Sequence, residues 1–500
     1  MKKTPLAIPE KDRRSGAALV LAALSLIVLV PMLGLAIDGS NVYLMRNQIN
    51  VAMNAAVLAA TRSLSVGKTA DQQSQAATEI AQTVFSADTS SVHGMSWPSP
   101  GPGAPVFSVC DDPSCGSPNH FRTVTGTVTV AVPLSFMGMM GLSSSTITLK
   151  VAATKRDVNV VLVLDNGGPM EPTSNTNPIL TLQTYATAFV NQFANTRDNV
   201  GLITFTSVPY VADPLPNQNF LTNVPNDISQ MAAPSTGVPN TAAALSAAYL
   251  QLQSLNQPGA LNVIVLFTDE IPASYTADFA PWLTAAGKAS PTSCAPNQNN
   301  NVFGTIWANN RATGKEVFTD NALQSVSGGW QGNDEPETRP AAACSNQSLS
   351  PSSVLTQLPP TDSYGNATGG ANAYEFVDLA GFTAPQISVR DSVVASIVAA
   401  SANALDSAAT TIRTGAPMLV SPSGVTIQPT IFVIGLLGNT VTALQPDTNL
   451  LFKVANDPKQ SSTYLPSQPA GQCIIAPSPA DLQGAFNSIA GQVLRLAAAH

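Results

Sequence analysis

Residues 157–165 read Asp157-Val-Asn-Val-Val-Leu-Val-Leu-Asp165. The run from Val158 to Leu164 is almost entirely β-branched or aliphatic and closes on a carboxylate. A half-exposed strand would alternate apolar and polar residues. A continuous run suits a central parallel strand buried on both faces. The runs Val200–Phe205 (VGLITF), Leu261–Phe267 (LNVIVLF) and Thr430–Leu436 (TIFVIGL) share its form. Between and after them lie helical patterns at 182–193, 241–252, 392–413 and 481–496. The last carries Leu482, Phe486, Ile489, Val493 and Leu496 on one stripe. Strand and helix alternate, which predicts an α/β fold over 156–500: a doubly wound, mostly parallel sheet.

Residues 271–386 interrupt that pattern. They are rich in Asn, Gly, Pro and Ser and contain Trp282, Trp307 and Trp330. A structureless loop of that length inside a compact domain is rare, so the stretch reads as an insertion. Because it leaves directly after Asp269, it should overhang the carboxyl-terminal edge of the sheet. Its Trp residues are either stacking platforms for a ligand or the insertion's own core.

The N-terminal part is built differently. Residues 1–14 form a basic head, with Lys2, Lys3, Lys11, Arg13 and Arg14 against Glu10 and Asp12. Residues 15–37 contain an uncharged apolar run from Gly16 to Ile37. Its helix would span about 33 Å, enough for a hydrocarbon core of about 30 Å. Pro31 is tolerable there. Basic flanks predict a single pass with the N-terminus in the cytoplasm and everything after Asp38 outside. The rival reading is a signal peptide cleaved near Gly34-Leu35-Ala36. Against it, the run exceeds an ordinary signal core and the helical pattern continues through Asn41–Ser63. Within 38–155, residues 94–118 read as a linker, and Thr123–Val132 and Thr146–Ala152 alternate as half-buried strands.

Five cysteines are present: Cys110, Cys115, Cys294, Cys344 and Cys473. Outside the cytoplasm, Cys110 with Cys115 and Cys294 with Cys344 are plausible bridges, leaving Cys473 over. Connectivity does not follow from spacing. Charged residues are 10% of the chain and the net charge is −8, so no basic footprint for nucleic acid exists. Three His, and no GxSxG, HExxH or P-loop, argue against an enzyme.

In open α/β sheets, sites lie at the carboxyl ends of the strands. Asp165 and Asp269 should share that edge, where two carboxylates could hold a hard cation such as Mg²⁺. Together with Asp198-Asn-Val-Gly-Leu-Ile-Thr-Phe205, these strands resemble a von Willebrand factor A domain. That family's metal site implies Asp-x-Ser-x-Ser, a Thr from a middle loop and a second Asp. Here the segment is Asp165-Asn-Gly-Gly-Pro169. Gly167 and Pro169 replace both Ser, and Pro239 falls where the Thr would be. Thr236 or Thr241 could substitute, and Glu270 follows the second Asp. Two readings stand: a depleted cation site, or carboxylates that bind only backbone N–H groups. The resemblance therefore implies no cofactor beyond a weak divalent cation.

The N-terminus carries a second resemblance. Arg14-Ser-Gly16, the apolar run, Ala36-Ile-Asp38, Arg46-x-Gln48 and Ala52-Met-Asn54-Ala-Ala56 are similar to TadG-like Flp pilus-assembly proteins. No Glu lies between Gly16 and Ile37, which departs from a prepilin. This likeness implies a non-enzymatic accessory protein of a Flp/Tad pilus or secretion apparatus, held in the inner membrane and contacting envelope proteins. The alternative is a surface adhesin or carbohydrate-binding protein that uses the sheet edge and its insertion.

Overall fold

The computed structural model describes residues 13–64, 69–90, 104–111, 120–170, 172, 177–194, 197–232, 238–257, 259–278, 303–307, 324–325, 358–369, 393–415, 419–420, 426–438 and 445–497. The chain divides into two compact units, Met1–Asp111 with Arg122–Thr154, and Asp112–Phe121 with Lys155–His500.

In the first unit, α1 (Arg13–Ser63) is one helix that continues through Pro31. Helix α2 (Ala70–Thr89) starts on a capping box in which Thr69 and Gln72 satisfy each other's backbone N–H. Strands β1 (Val106–Cys110), β2 (Phe121–Pro133) and β3 (Ser144–Arg156) form a sheet in the order β1-β2-β3. Strand β1 corrects the expectation of a linker over 94–118. Its five residues pair antiparallel with β2, from Val106 opposite Thr127 to Cys110 opposite Thr123, and that partner, not local pattern, makes it a strand.

The core of this unit joins Ile49, Met53, Ala56 and Val57 of α1 to Ala77, Ala81 and Phe85 of α2 and Val124, Val128 and Val130 of β2. Gly126 allows close packing here, because a Cβ would fall 2.6 Å from the Met53 methyl and 2.9 Å from Phe107 and Val57 side-chain atoms. Arg122, 2% exposed, ties four segments together. Its guanidinium donates to both Asp111 carboxylate oxygens at 2.7 and 3.2 Å, to the Leu64 carbonyl and to Gln73 Oε1.

The second unit runs β4 (Val158–Asp165), α3 (Pro178–Val190), β5 (Asn199–Phe205), β6 (Pro209–Asp213), α4 (Phe220–Gln230), α5 (Thr241–Leu255) and β7 (Leu261–Thr268). Next come β8 (Ser274–Asp278), β9 (Phe303–Trp307), β10 (Gln324–Ser325), α6 (Val393–Thr414), β11 (Leu419–Val420) and β12 (Thr426–Ile427). The unit closes with β13 (Thr430–Leu436), α7 (Thr448–Ala455), β14 (Cys473–Ala476) and α8 (Leu482–Ala497). The main sheet has the order β14-β13-β7-β4-β5-β6, parallel except for β6. This is the doubly wound arrangement, and the strand order reverses between β4 and β7.

Every residue of β4 and β7 is buried. On one face Val158, Val160, Leu162 and Leu164 meet α3, α4 and α8. On the other, Val161 and Val163 meet α5, α6 and α7. A buried Asn ladder crosses the three central strands, Asn199 donating to Asn159 at 2.9 Å and Asn159 to Asn262 at 3.1 Å. A one-residue slip would leave these amides unpaired inside the core, so the ladder holds the register. Below β4, Asp157 accepts both Arg197 guanidinium bonds at 2.9 Å. Burial raises its carboxyl, but bonds from His120 and Arg197 outweigh that and leave it below the usual range.

In the stretch predicted as an insertion, β8, β9 and β10 form a small antiparallel sheet. Residues 358–369 return to it, where Ser363 N–H donates to the Thr276 carbonyl.

Helix α8 shows how one face is sealed. Phe486, 1% exposed, stacks at a tilt on Phe189 of α3 with ring centroids 5.8 Å apart. Phe486→Ala should destabilise this unit by about 3–5 kcal/mol, read as a lowered midpoint in denaturant titration of the full chain in detergent.

Candidate functional site

Because the strand order reverses between β4 and β7, their carboxyl ends open the crevice where a ligand would lie. Leu164 pairs with Phe267, so the next residues, Asp165 and Thr268, are neighbours. The Thr268 hydroxyl donates to Asp165 Oδ2 at 2.8 Å, with the Glu270 carbonyl at 3.2 Å as a second acceptor. Asp165 Oδ1 accepts the Gly167 N–H at 3.0 Å. Asp165 is fully buried, and Asp269 and Glu270 are each 2% exposed. The edge does gather Asp165, Asp269 and Glu270, but Asp165 is engaged at both oxygens by its own fold.

Thr241 is the first residue of α5 and 1% exposed, and its hydroxyl has no hydrogen-bond partner. Thr236, Trp282 and Trp330 lie outside the described residues, as do Cys115, Cys294 and Cys344. Trp307 ends β9. Cys110 is disulfide-bonded. Cys473 is a buried free thiol, its pKa pushed up by burial and by Asp457.

The residue that sequence reading missed is Asn240. Its N–H donates to the Thr206 carbonyl at 2.7 Å, and its side-chain amide to the Ser207 carbonyl at 3.2 Å and Thr276 Oγ1 at 3.0 Å. Its Oδ1 accepts the Ala243 N–H at 3.3 Å, which caps α5. One side chain thus joins the β5–β6 turn, the start of α5 and β8. An Asn immediately before a helical pattern was the available signal.

A hard cation of the Mg²⁺ type needs about six oxygens in near-octahedral order. Gly167, Pro169 and Pro239 bring no side-chain oxygen to this edge. Among the described residues, no three His, Cys, Asp or Glu side chains form a group that could hold a metal. Among the described residues, the donor set does not fit such an ion.

Residues 160–271 match the family profile of the von Willebrand factor type A domain. Residues 16–71 match the Flp pilus-assembly TadE/G-like profile. The chain joins a TadE/G-like segment to a von Willebrand factor A-like domain. Comparison with curated proteins finds no match. Among solved structures, the PilB minor pilin from Streptococcus sanguinis is 14% identical, over 78% of this chain and 78% of that one, with a TM-score of 0.34. The vWF domain of the type V pili tip protein Mfa5 from Porphyromonas gingivalis is 13% identical, over 69% of this chain and 97% of that one, also with a TM-score of 0.34. Likenesses this weak carry no functional argument.

A second carboxylate pair lies at the end of β6, where Asp213 accepts from Asn217 Nδ2 at 3.0 Å. Burial and the neighbouring carboxylate of Asp227 push the Asp213 carboxyl up from 3.8 to about 7. A raised carboxyl binds its proton more tightly in the folded state. Its stabilising effect is complete below about pH 4 and is lost as pH rises through about 7. Unfolding midpoints measured across that window should fall with pH in the native chain and fall less in Asp213→Asn. At the vWA edge, Thr268→Val should cost about 1–3 kcal/mol, because it strips a donor from a buried carboxylate. Calorimetric titration with Mg²⁺ should show no heat that Asp165→Ala removes.

Proposed function

We propose that the chain is a non-enzymatic accessory protein of Flp-type pilus assembly or secretion, anchored in the inner membrane and presenting its vWA domain outside as a protein-binding module. The observation that carries this reading is the joining of the two matched segments in one chain, the TadE/G-like one lying on the apolar helix. Leu19 to Ile37 of α1 present their large apolar side chains outward, as a lipid-facing helix does. In this reading the basic head lies in the cytoplasm. At the sheet edge Asp165 is spent on Gly167 and Thr268, which supports recognition through surface rather than through a cation or a reaction.

The partner-binding surface in this reading is that edge with residues 271–386, including Trp282, Trp307 and Trp330. The partner is another pilus-assembly or envelope protein. Asn240, bonded to Thr276, couples the start of this segment to the edge.

The test is removal of the coding sequence from the host strain, with surface filaments counted by electron microscopy. We expect filaments to be lost, restored by the full chain, and not restored by a chain lacking residues 279–357. Filaments at wild-type number without the protein would overturn the reading. Normal filaments with lost adhesion would favour an adhesin instead.

A further inference from the structure

The anchor reading leaves open what Asp38 does at the end of the apolar run. A carboxylate there would ordinarily face water or lipid headgroups. Asp38 is instead 2% exposed. Its Oδ1 accepts the Ser135 N–H at 3.0 Å, and its Oδ2 accepts those of Phe136 and Met137 at 3.0 and 2.8 Å. These donors open the loop between β2 and β3, whose 3-10 turn covers Met137–Met140. N–H groups at the start of a helical turn lack internal partners, and a carboxylate is a strong acceptor for them. One turn earlier on α1, Gly34 is buried, and a Cβ there would fall 2.6 Å from Phe136 Cβ. Gly34 and Asp38 therefore fasten the loop to α1 at the level where the apolar run ends.

The loop reads Leu134-Ser-Phe-Met-Gly-Met-Met-Gly-Leu142, and no charged residue occurs from Thr123 to Leu149. Its apolar side chains point outward: Met139 is 87% exposed, Leu142 55% and Phe136 38%. They adjoin the exposed apolar surface of α1, with Leu33, Leu35 and Ile37 at 62%, 57% and 46%. Most of its N–H groups are nevertheless paired. Leu134 N–H donates to the Ser143 carbonyl, Met139 to Phe136, Gly141 to Gly138 and Leu142 to Met137, all within 3.2 Å. Gly141 accepts φ of +92° to close the turn. An apolar tip with most of its N–H groups paired enters the headgroup–acyl boundary at lower cost than an open loop.

We propose that the β2–β3 loop is a second membrane contact, which inserts Phe136, Met139 and Leu142 into the headgroup–acyl boundary where α1 emerges. The proposal rests on the anchor reading of α1. The occupant is lipid rather than protein because the exposed apolar surface is continuous with that of the spanning helix. The depth agrees: Gly34 lies about 6 Å along the helix axis before Asp38, within the interfacial layer.

The test uses the full chain reconstituted into phosphatidylcholine–phosphatidylglycerol vesicles, with or without brominated acyl chains. An environment-sensitive NBD label is placed at Met139→Cys, at Leu26→Cys in the span, or at Ser86→Cys on the exposed side of α2. The unsubstituted chain measures background labelling. We expect the Leu26 and Met139 labels to emit blue-shifted light and lose emission in brominated lipid, while the Ser86 label does neither. If Met139 behaves like Ser86 while Leu26 is quenched, the loop proposal is overturned and the anchor stands. A Met139 label that is blue-shifted but indifferent to bromine would mean a protein contact, which also overturns it. If Leu26 is not quenched, the anchor reading is wrong and the loop proposal falls with it.

Discussion

The second unit depends on one constraint: β4 is buried along its whole length and paired on both sides. A strand with no exposed face needs helices above and below it. Even-numbered side chains of β4 meet α3, α4 and α8, and the odd-numbered Val161 and Val163 meet α5, α6 and α7. Parallel pairing requires long crossovers, which those helices supply. The same pairing carries Asp165 to the crevice beside Thr268.

That proximity decides the chemistry of the edge. The resemblance to a von Willebrand factor A domain leads to the expectation that the carboxylate at the end of β4 serves a cation. Here Gly167 and Pro169 offer no hydroxyl, and Thr268 turns its own hydroxyl onto Asp165. A cation would have to compete with two hydrogen bonds inside a buried site and would find, among the described residues, too few oxygens to replace its water shell. What remains at the edge is shape, held by Asn240 between the β5–β6 turn, α5 and β8.

The first unit uses its carboxylate in a related way. Asp38 collects three backbone N–H groups from 97 to 99 residues away. Asp38 accepts from N–H donors and Asp165 from an N–H and a hydroxyl, whereas buried Asp157 and Asp406 take the basic side chains of Arg197 and Lys453. At Asp38 and Asp165 a neutral donor brings no second ion to desolvate.

Much of the fold was legible in the sequence. The unbroken apolar runs marked β4, β5, β7 and β13 because burial on both faces leaves no polar alternation. The stripe from Leu482 to Val493 marked α8 because a helix on a sheet buries one side. The strands β1, β6 and β14 were not legible, since segments of 4–5 residues carry too few positions to show a period and acquire their state from the neighbour they pair with. At the candidate site, sequence alone determined that Asp165 and Asp269 would reach one edge and that the expected hydroxyls were missing. Only tertiary structure decided that Thr268, 103 residues from Asp165, would take one carboxylate oxygen. It likewise decided that Asp38 would clamp an apolar loop. Those bonds depend on sheet register and on chain segments meeting across long separations, and no local pattern of residues encodes that meeting.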